Sequence, residues 1–520
     1  MNEQLPVAGF WRVATADPDR VAIVDGDGTS TTFGELLVTS RAIARGLQAL
    51  GINRGDAVAM VIPNHRSFFE VMLAAMETGI YLTPINSHLA APEIEHVLSD
   101  SGAKAMFAHE QLADVCQKAA DAAGFPLDRR FSIGVIAGFR PYSDMWVEGD
   151  APPDPRSPGA PMIYTSGTTG KPKGVRRALP EGDPDDAFAH PAVLLCKGFG
   201  IPVGTGSHLV CGPLYHSGPF AGANSSLHAG KTLVLMDRWA PERCLELLER
   251  HRIDSSQMVP TMFHRLLGLP DAVRARYDLS ALKSVYHTGA PCPREVKQKM
   301  MDWWGPVVYE TYGGTEGAAT VATPRRWLER PGTVGRAIYN TTVHILDADF
   351  KPVPSGETGD IWIENSTHAP SEYFNDPEKT SRMRRGNMIT LGDIGYLDAD
   401  GYLFLRDRKI DMIISGGVNI YPAEVEGALL SASYVADAVV IGVPDEEWGE
   451  SVKAIVELRP GIDASPELEA ALIEHCRESI AKFKLPRSVD FVAQLPRLPN
   501  GKVEKRRLRE PYWAGRNQII

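Results

Sequence analysis

Cysteine is scarce in this chain of 520 residues, and its six cysteines form no C-x-x-C pair. The sequence thus carries no cysteine metal signature and fits a reducing compartment, so we expect a cytoplasmic protein. No run of eighteen apolar residues is present, which predicts no transmembrane segment. The opening MNEQLPVAGFWRVATADPDR contains acidic residues and no apolar core, so we expect no signal peptide.

Basic residues are also in deficit. Lys and Arg number 54 against 65 Asp and Glu, giving a net charge of −11. Nucleic-acid binders usually carry a basic face, so this balance argues against a nucleic-acid partner. The sequence has no internal repeat, and its length is enough for more than one domain.

Helices and strands alternate in the first part of the chain. Thr32 to Glu35 form a capping-box pattern that predicts the start of a helix. Residues 56–62 and 80–85 are short and apolar and predict strands, and residues 67–78 between them predict a helix. This alternation predicts a mostly parallel sheet with helices on its faces.

Irregular segments follow. The proline-rich residues 149–161 predict a surface connection, and the polar residues 178–190 predict a loop or insertion. Strands predicted at 343–346 and 360–364 flank the turn PVPSGETG and indicate a small β-rich subdomain.

The pattern changes near Arg408. Helix-forming YPAEVEGALL and SPELEAALIEHCRESIA alternate with strand-forming ADAVVIGVP, SVKAIVEL and VDFVAQL. The predicted fold class is therefore α/β. A large N-terminal domain of α/β subdomains and a β-rich subdomain, residues 1–407, precedes a small mobile α+β domain, residues 408–520.

The stretch TSGTTGKPKGV, residues 165–175, has the composition of a phosphate-binding loop. It is not the Walker loop, because its glycines are too close together and Pro172 follows Lys171. Glycines allow close backbone approach to an anion, and hydroxyls and lysines supply donors and charge. A flexible surface loop is the alternative. The candidate phosphate ligands are Thr165, Ser166, Gly167, Thr168, Thr169, Gly170, Lys171 and Lys173.

Four further motifs follow this loop in order: YETYGGTEG from Tyr309, PGTVGRA from Pro331, the long run from Thr390 to Glu426, and LPRLPNGKVEKRRLR from Leu495. Together the five resemble the adenylate-forming superfamily, which includes acyl-CoA synthetases, the adenylation domains of peptide synthetases and beetle luciferase. The resemblance spans about Phe10 to Arg509. It implies that residues 1–407 form an AMP-binding adenylation domain and that the C-terminal domain carries the adenylation lysine.

The resemblance implies a two-step reaction. A carboxylate attacks the α-phosphate of ATP, pyrophosphate leaves, and a thiol then displaces AMP from the acyl-adenylate. Because two anions must meet in the first step, cations and hydrogen-bond donors are needed. The implied cofactors are ATP, Mg²⁺ and CoA.

The motif around Tyr312 carries the nucleotide-binding residues that the resemblance implies. Glu316 matches the magnesium carboxylate, and Thr315 would bond the α-phosphate or the acyl carbonyl. Tyr312 would lie against the adenine, with a core tyrosine as the alternative, and Gly313 is a further candidate for cofactor binding. The segment of Gly289, Ala290 and Pro291 would line the other side of the base.

Charged residues near the C-terminal domain complete the set. Asp393 matches the aspartate that accepts both ribose hydroxyls, and Arg408 matches the ribose arginine; a solvated ion-pair cluster is the alternative for both. Lys502, on the turn Pro-Asn-Gly-Lys, matches the adenylation lysine. The chain ends eighteen residues after Lys502, so we expect no fused carrier domain.

Other matches concern the second step. His216 matches an aromatic position that gates the acyl site from the pantetheine tunnel, with a buried structural histidine as the alternative. Gly416 and Gly417 lie where the tunnel would need small side chains. Ile410 stands where the family usually has Asp or Lys at the hinge, so Lys409 or Asp411 could take that role, or the hinge could work without a charge.

The acid is the least determined feature of the sequence. Gly314 replaces a residue that is often larger in the family, so we expect it to open the acyl pocket. Wall segments 215–220 and 286–289 contain aromatic residues and no obvious cation. We therefore expect an apolar acid: a medium- or long-chain fatty acid, or a bulky ring-bearing acid such as a steroid side chain or bile acid.

Alternatives remain for the acid and for the acceptor. Tyr215 or Tyr286 could stack on an aryl acid such as a hydroxycinnamate. A separate carrier protein could replace CoA, and a luciferase-like oxygenase is a more distant alternative. The expected partners are the acid, ATP and CoA, and a homodimer is compatible with the sequence.

Overall fold

The computed structural model describes most of the chain. Of Asp407, Arg408 and Asn419 it describes the backbone alone. The described residues are 7–149, 151–165, 172–290, 292–366, 370–408, 411–415, 418–446, 448–477, 479–498 and 503–514.

The N-terminal sheet has six parallel strands. In spatial order they are Arg140–Pro141, Arg130–Ile133, Ala103–His109, Ala57–Val61, Tyr81–Pro84 and Ala160–Pro161. Its helices are Phe33–Ala49, Arg66–Glu77, Ala91–Ser101 and Ala113–Ala122, with short 3₁₀ turns at Glu110–Leu112, Leu127–Arg129 and Tyr142–Met145.

The predicted capping box is confirmed at the first of these helices. The Thr32 hydroxyl accepts from the Glu35 amide, and the Glu35 carboxylate accepts from the Thr32 amide. Leu36, Ile43 and Leu47 are fully buried on one face of the helix. That face packs against the helix Arg66–Glu77 in the common core.

The central sheet has nine strands. In spatial order they are Arg336–Ala337, Ala318–Ala322, Val308–Gly313, Ser284–His287, Ser255–Met258, Ser207–Val210, Thr232–Leu235, Val21–Val24 and Ser30–Thr32. The six strands from Val308–Gly313 to Val21–Val24 are parallel, and the outer ones are antiparallel. In such sheets ligands bind beyond the carboxyl ends of the strands, here after His287 and at Gly313.

Eight helices accompany the central sheet in the described chain. They are Phe10–Ala16, Pro184–Gly198, Ser217–His228, Pro241–Arg250, Pro260–Leu267, Asp271–Arg274, Arg294–Trp304 and Pro324–Glu329.

Two smaller sheets complete the first 408 residues. A three-stranded sheet contains Glu372–Tyr373, Lys173–Arg176 and Ile163–Thr165, and the helix Pro377–Met383 follows it. The β-rich subdomain contains Arg384–Arg385, Met388–Ile389, Gly359–Asn365, Asp393–Leu397 and Leu403–Arg408, with Thr341–Leu346 antiparallel to Gly359–Asn365. The two strands predicted around PVPSGETG are therefore confirmed.

The C-terminal unit has the predicted α+β pattern. Its strands are Val418–Ile420, Ile413–Ser415, Gly449–Leu458 and Val435–Asp445, with Ser488–Val492 parallel to Gly449–Leu458. Its helices are Pro422–Leu430, Pro466–Arg477 and Lys505–Trp513, with a 3₁₀ turn at Lys482–Lys484. An apolar core of its own lies between them.

The prediction of a loop over residues 178–190 is wrong in its second half, where the helix Pro184–Gly198 begins. Asp183 is the N-cap, and its side chain accepts from the Asp185 amide at 2.8 Å. Proline at the first helical position and acidic residues in the first turn are ordinary helix-start signals, so composition misled the prediction. Within the described chain, no helix has the length and apolarity to span a bilayer.

Candidate active site

A cavity of about 3740 Å³ opens at the carboxyl end of the central sheet. It continues past the β-rich subdomain to residues of the C-terminal unit. A single small-molecule pocket measures about 300–1,000 Å³, so this space is large enough for several ligands at once. Its wall includes eight predicted site residues that bear on the nucleotide: Thr165, Gly289, Ala290, Tyr312, Gly313, Thr315, Glu316 and Asp393.

Tyr312 and Asp393 form one side of this cavity. Tyr312 lies near the end of the strand Val308–Gly313, and its hydroxyl donates to the Asp393 carboxylate at 2.8 Å. Asp393 begins the strand Asp393–Leu397 and is paired in register with the backbone of Arg408. The fold thus brings together residues that are far apart in sequence and that the resemblance assigns to adenine and ribose.

Glu316 lies in a tight turn between two antiparallel strands of the central sheet. The Gly314 amide donates to the Gly317 carbonyl at 2.8 Å and closes the turn. The Tyr373 hydroxyl donates to Glu316 Oε1 at 2.6 Å, and the Ser371 hydroxyl donates to the Glu316 carbonyl at 2.6 Å. The carboxylate is therefore oriented by residues that follow it by more than fifty positions.

Thr315, in the same turn, is held from the opposite direction. Its hydroxyl donates to Ser217 Oγ at 3.1 Å, at the start of the helix Ser217–His228. The Arg177 guanidinium donates to the Thr315 carbonyl at 3.0 Å and also lines the cavity. The turn is thus fixed by Arg177, which follows the strand Lys173–Arg176, by Ser217 at the start of a helix, and by the segment around Tyr373.

The expectation that Gly314 opens the acyl pocket is wrong. A Cβ atom at this position would lie 2.7 Å from Glu316 Oε2 and 3.1 Å from Leu391 Cδ2. The space beside Gly314 is therefore already occupied by the Glu316 carboxylate and by Leu391. The position that a Gly314 side chain would take is thus filled by the carboxylate and by Leu391, and it adds no space for an acyl chain.

An apolar wall lies on another side of the cavity. Phe188, Pro191, Leu195 and Phe199 recur at helical spacing along the helix Pro184–Gly198 and just beyond it, and all four line the cavity. The Tyr286 ring stacks on Phe199 with centroids 4.4 Å apart. Sequence reasoning found Tyr286 and missed the helical stripe, because it assigned the start of that helix to a loop.

His216 lines the cavity at the N-cap of the helix Ser217–His228. Its ring lies 4.4 Å from the Tyr215 ring, centroid to centroid. The histidine is therefore on the cavity wall, next in sequence to Ser217, which accepts from Thr315.

The base of the predicted phosphate loop is a β-hairpin. Thr165 is paired in register with Lys173, and the Lys173 ammonium lies 3.6 Å from Asp376 Oδ2. Further predictions lie outside the described residues: Ser166, Gly167, Thr168, Thr169, Gly170, Lys171, Pro291, Gly416, Gly417, Lys502 and the hinge residue Ile410. The side chain of Arg408 is likewise not described.

Sequence reasoning also missed Arg177, Tyr373 and Lys379, which line the cavity near Glu316. Arg177 could have been found by alternation, since it directly follows the strand Lys173–Arg176 and continues the spacing of Lys173 and Val175. Tyr373 and Lys379 belong to the run EYFNDPEKT, which has no pattern pointing to the cavity. Their role depends on pairing between distant strands.

Comparison with known proteins agrees with this geometry. Residues 10–373 match the AMP-binding enzyme family, and residues 424–502 match the AMP-binding enzyme C-terminal domain. A feruloyl-CoA synthase of Amycolatopsis sp is 33% identical over 517 residues, covering 97% of this chain and 99% of the relative. A long-chain-fatty-acid–CoA ligase of Mycobacterium tuberculosis is 32% identical over 508 residues, covering 96% and 97%.

A further relative and a solved structure extend the comparison. A fatty acid–[acyl-carrier-protein] ligase of Streptomyces coeruleorubidus is 31% identical over 498 residues, covering 94% of this chain and 93% of the relative. The o-succinylbenzoate CoA synthetase of Bacillus subtilis, solved with its acyl-adenylate, superimposes with a TM-score of 0.79 at 26% identity, covering 96% of this chain and 97% of that one. This chain therefore belongs to the AMP-binding enzyme family, the adenylate-forming superfamily that its motifs predict.

Proposed function

We propose that the protein activates an apolar carboxylic acid and transfers it to CoA. The chain is an AMP-forming acid–thiol ligase that uses ATP and works through an acyl-adenylate, as its homologues are. In the first step an acid oxygen bonds to the α-phosphorus while pyrophosphate leaves with the electrons of the broken bond. In the second step the CoA sulfur bonds to the acyl carbon and AMP leaves.

The observation that best supports this proposal is the convergence on one cavity of Asp393, Tyr312, Thr315 and Glu316. We assign Asp393 to the ribose hydroxyls, since a carboxylate can accept two O–H bonds, and Tyr312 to the face of the adenine. Thr315 and Glu316 face the phosphates. We assign His216, beside them, to the gate between the acyl site and the pantetheine tunnel.

Magnesium fits the residues present. No group of three or more His, Cys, Asp or Glu side chains in the described chain could hold a metal ion by itself. Mg²⁺ takes one or two protein carboxylates and fills its other positions with phosphate oxygens and water. Glu316 is such a carboxylate, oriented by Tyr373. When bound, the ion would neutralise charge on the phosphates.

The apolar stripe along the helix Pro184–Gly198 supports an apolar acid. Each buried methylene contributes about 0.8 kcal/mol, so Phe188, Leu195 and Phe199 favour a long chain or a ring system over acetate. The stacked pair Tyr286 and Phe199 favours an aryl acid as the second candidate. The relatives that act on long-chain fatty acids and on ferulate support these two classes equally.

A carrier protein is the alternative acceptor. The fatty acid–[acyl-carrier-protein] ligase of Streptomyces coeruleorubidus supports this possibility. The acceptor sulfur and its pantetheine arm are chemically the same in both cases, so the cavity suits either.

Two measurements test the proposal. Pyrophosphate release is followed with acetate, octanoate, palmitate, a hydroxycinnamate and a C24 steroid acid, and acyl-CoA is then measured with free CoA. We expect pyrophosphate release with an apolar acid and little with acetate. Failure with every acid would contradict the ligase assignment, and acyl-adenylate without acyl-CoA would favour a carrier protein.

A further inference from the structure

Tyr373 holds two charged side chains at once. Its strand, Glu372–Tyr373, pairs with Lys173–Arg176, so that Tyr373 is opposite Val175. Its hydroxyl donates to Glu316 Oε1 at 2.6 Å, and the Lys379 ammonium lies 3.8 Å from the centroid of its ring. Lys379 is therefore placed beside the Glu316 turn by a cation–π contact.

Lys379 is also linked to the base of the predicted phosphate loop, which Thr165 and Lys173 form. Its backbone amide donates to Asp376 Oδ1 at 2.9 Å, and Asp376 Oδ2 lies 3.6 Å from the Lys173 ammonium. Lys173 is paired with Thr165, and these two residues flank the predicted loop. The Lys379 ammonium thus lies on the cavity wall against Tyr373, which holds Glu316, and the Lys379 backbone is held by the carboxylate that pairs with Lys173.

The charge of Lys379 is not matched by the protein around it. In the part of the chain that the structure describes, its ammonium forms no salt bridge, and the nearby Asp376 pairs with Lys173. Burial lowers the pKa of Lys379, and the Glu316 carboxylate only partly opposes this. An ammonium group on the cavity wall beside Glu316, the carboxylate assigned to magnesium, suits a polyanion that carries a divalent cation.

We propose that Lys379 binds the β- and γ-phosphate oxygens of ATP and the pyrophosphate that is released. The proposal rests on the proposed function, which assigns Glu316 to the phosphates. As the acid oxygen bonds to the α-phosphorus, negative charge grows on the leaving pyrophosphate, and Lys379 stabilises it. AMP lacks these two phosphates, so Lys379 contributes to ATP and pyrophosphate binding and not to AMP binding.

Calorimetric titration tests the proposal without any acid substrate. The wild type, Lys379→Met and Lys379→Arg are titrated with ATP, AMP and pyrophosphate in the presence of Mg²⁺. We expect Lys379→Met to weaken ATP and pyrophosphate binding about 10-fold to about 100-fold, the effect of losing one bond between charged groups, and to leave AMP binding unchanged. Lys379→Arg should restore most of the lost affinity.

The matched control is Lys351→Met, since Lys351 is a surface lysine with 75% of its side chain exposed. It should change none of the three affinities. Equal weakening of AMP and ATP by Lys379→Met, or no change in either, would overturn the proposal, because both results indicate a structural role or none. A wild type that binds neither nucleotide would instead contradict the proposed function.

Discussion

Replacing Gly314 by alanine should damage adenylation and leave the preference for acid size unchanged. The added Cβ would lie 2.7 Å from Glu316 Oε2, closer than carbon and oxygen can approach, and 3.1 Å from Leu391. The Glu316 carboxylate must therefore move, which breaks or weakens its 2.6 Å bond from Tyr373. A hydrogen bond to a charged group contributes about 1.5–3 kcal/mol, so we expect adenylation to slow about 10-fold to about 100-fold.

The assay separates the two half-reactions. Pyrophosphate release with acids of increasing length measures the first, and acyl-CoA formation from preformed acyl-AMP measures the second. Gly427→Ala is the control, because a Cβ there meets nothing within 4 Å. If Gly314→Ala keeps the adenylation rate and shifts the preferred chain length, Gly314 faces the acyl chain and our geometric reasoning is refuted.

Three further predictions concern stability and the half-reactions. Burial alone would raise the pKa of the Glu310 carboxyl, but the Lys297 ammonium, fully buried and 2.7 Å from Glu310 Oε2, lowers that pKa to about 2. Lys297→Met should therefore reduce the free energy of unfolding by about 3–5 kcal/mol, as measured by chemical denaturation. Adding Glu310→Leu should recover much of that loss. Burial raises the pKa of Glu70 to about 7, so the folded state loses stability as the pH rises from about 4.5 to about 7. Glu70→Gln should therefore raise Tm relative to wild type at pH 8 and not at pH 5. Equal shifts in Tm at the two pH values would contradict this pH dependence. Lys502→Ala should slow adenylation ~10²–10³-fold and largely spare CoA transfer from preformed acyl-AMP, and equal loss in both would contradict its assignment.

Local patterns predicted much of the fold. The capping box at Thr32, the strands on either side of PVPSGETG and the order of elements in the C-terminal unit all depend on neighbours in sequence. The helix Pro184–Gly198 was misjudged because its first turn is polar and proline-rich. Polar composition is typical of loops and of helix N-termini alike, so the apolar stripe that begins at Phe188 was the better signal.

The site was predicted in part. Glu316, Thr315, Tyr312 and Asp393 were predicted from contiguous motifs; the structure brings them to one cavity, and their roles stay predictions. Gly314 was misjudged because the sequence shows only that a side chain is absent. It does not show which neighbouring side chain fills the space beside the glycine. That neighbour, Leu391, is more than seventy residues away along the chain.

The residues that fix the Glu316 turn could not be deduced from sequence. Arg177 comes from the hairpin, Ser217 from a helix and Tyr373 from a separate edge strand, and each reaches the turn only after the sheets have assembled. A turn held from three directions needs little reorganisation when charge develops on the phosphates, which is the condition for electrostatic stabilisation of a transition state. The turn should therefore stay in place through both half-reactions.

If the Glu316 turn stays in place, the conformational change between the half-reactions falls to the C-terminal domain, where Lys502 would serve the first half-reaction and Gly416 and Gly417 the second. We therefore predict that one placement of the small domain does not serve both half-reactions, and that this domain rotates between them while the Glu316 turn stays fixed.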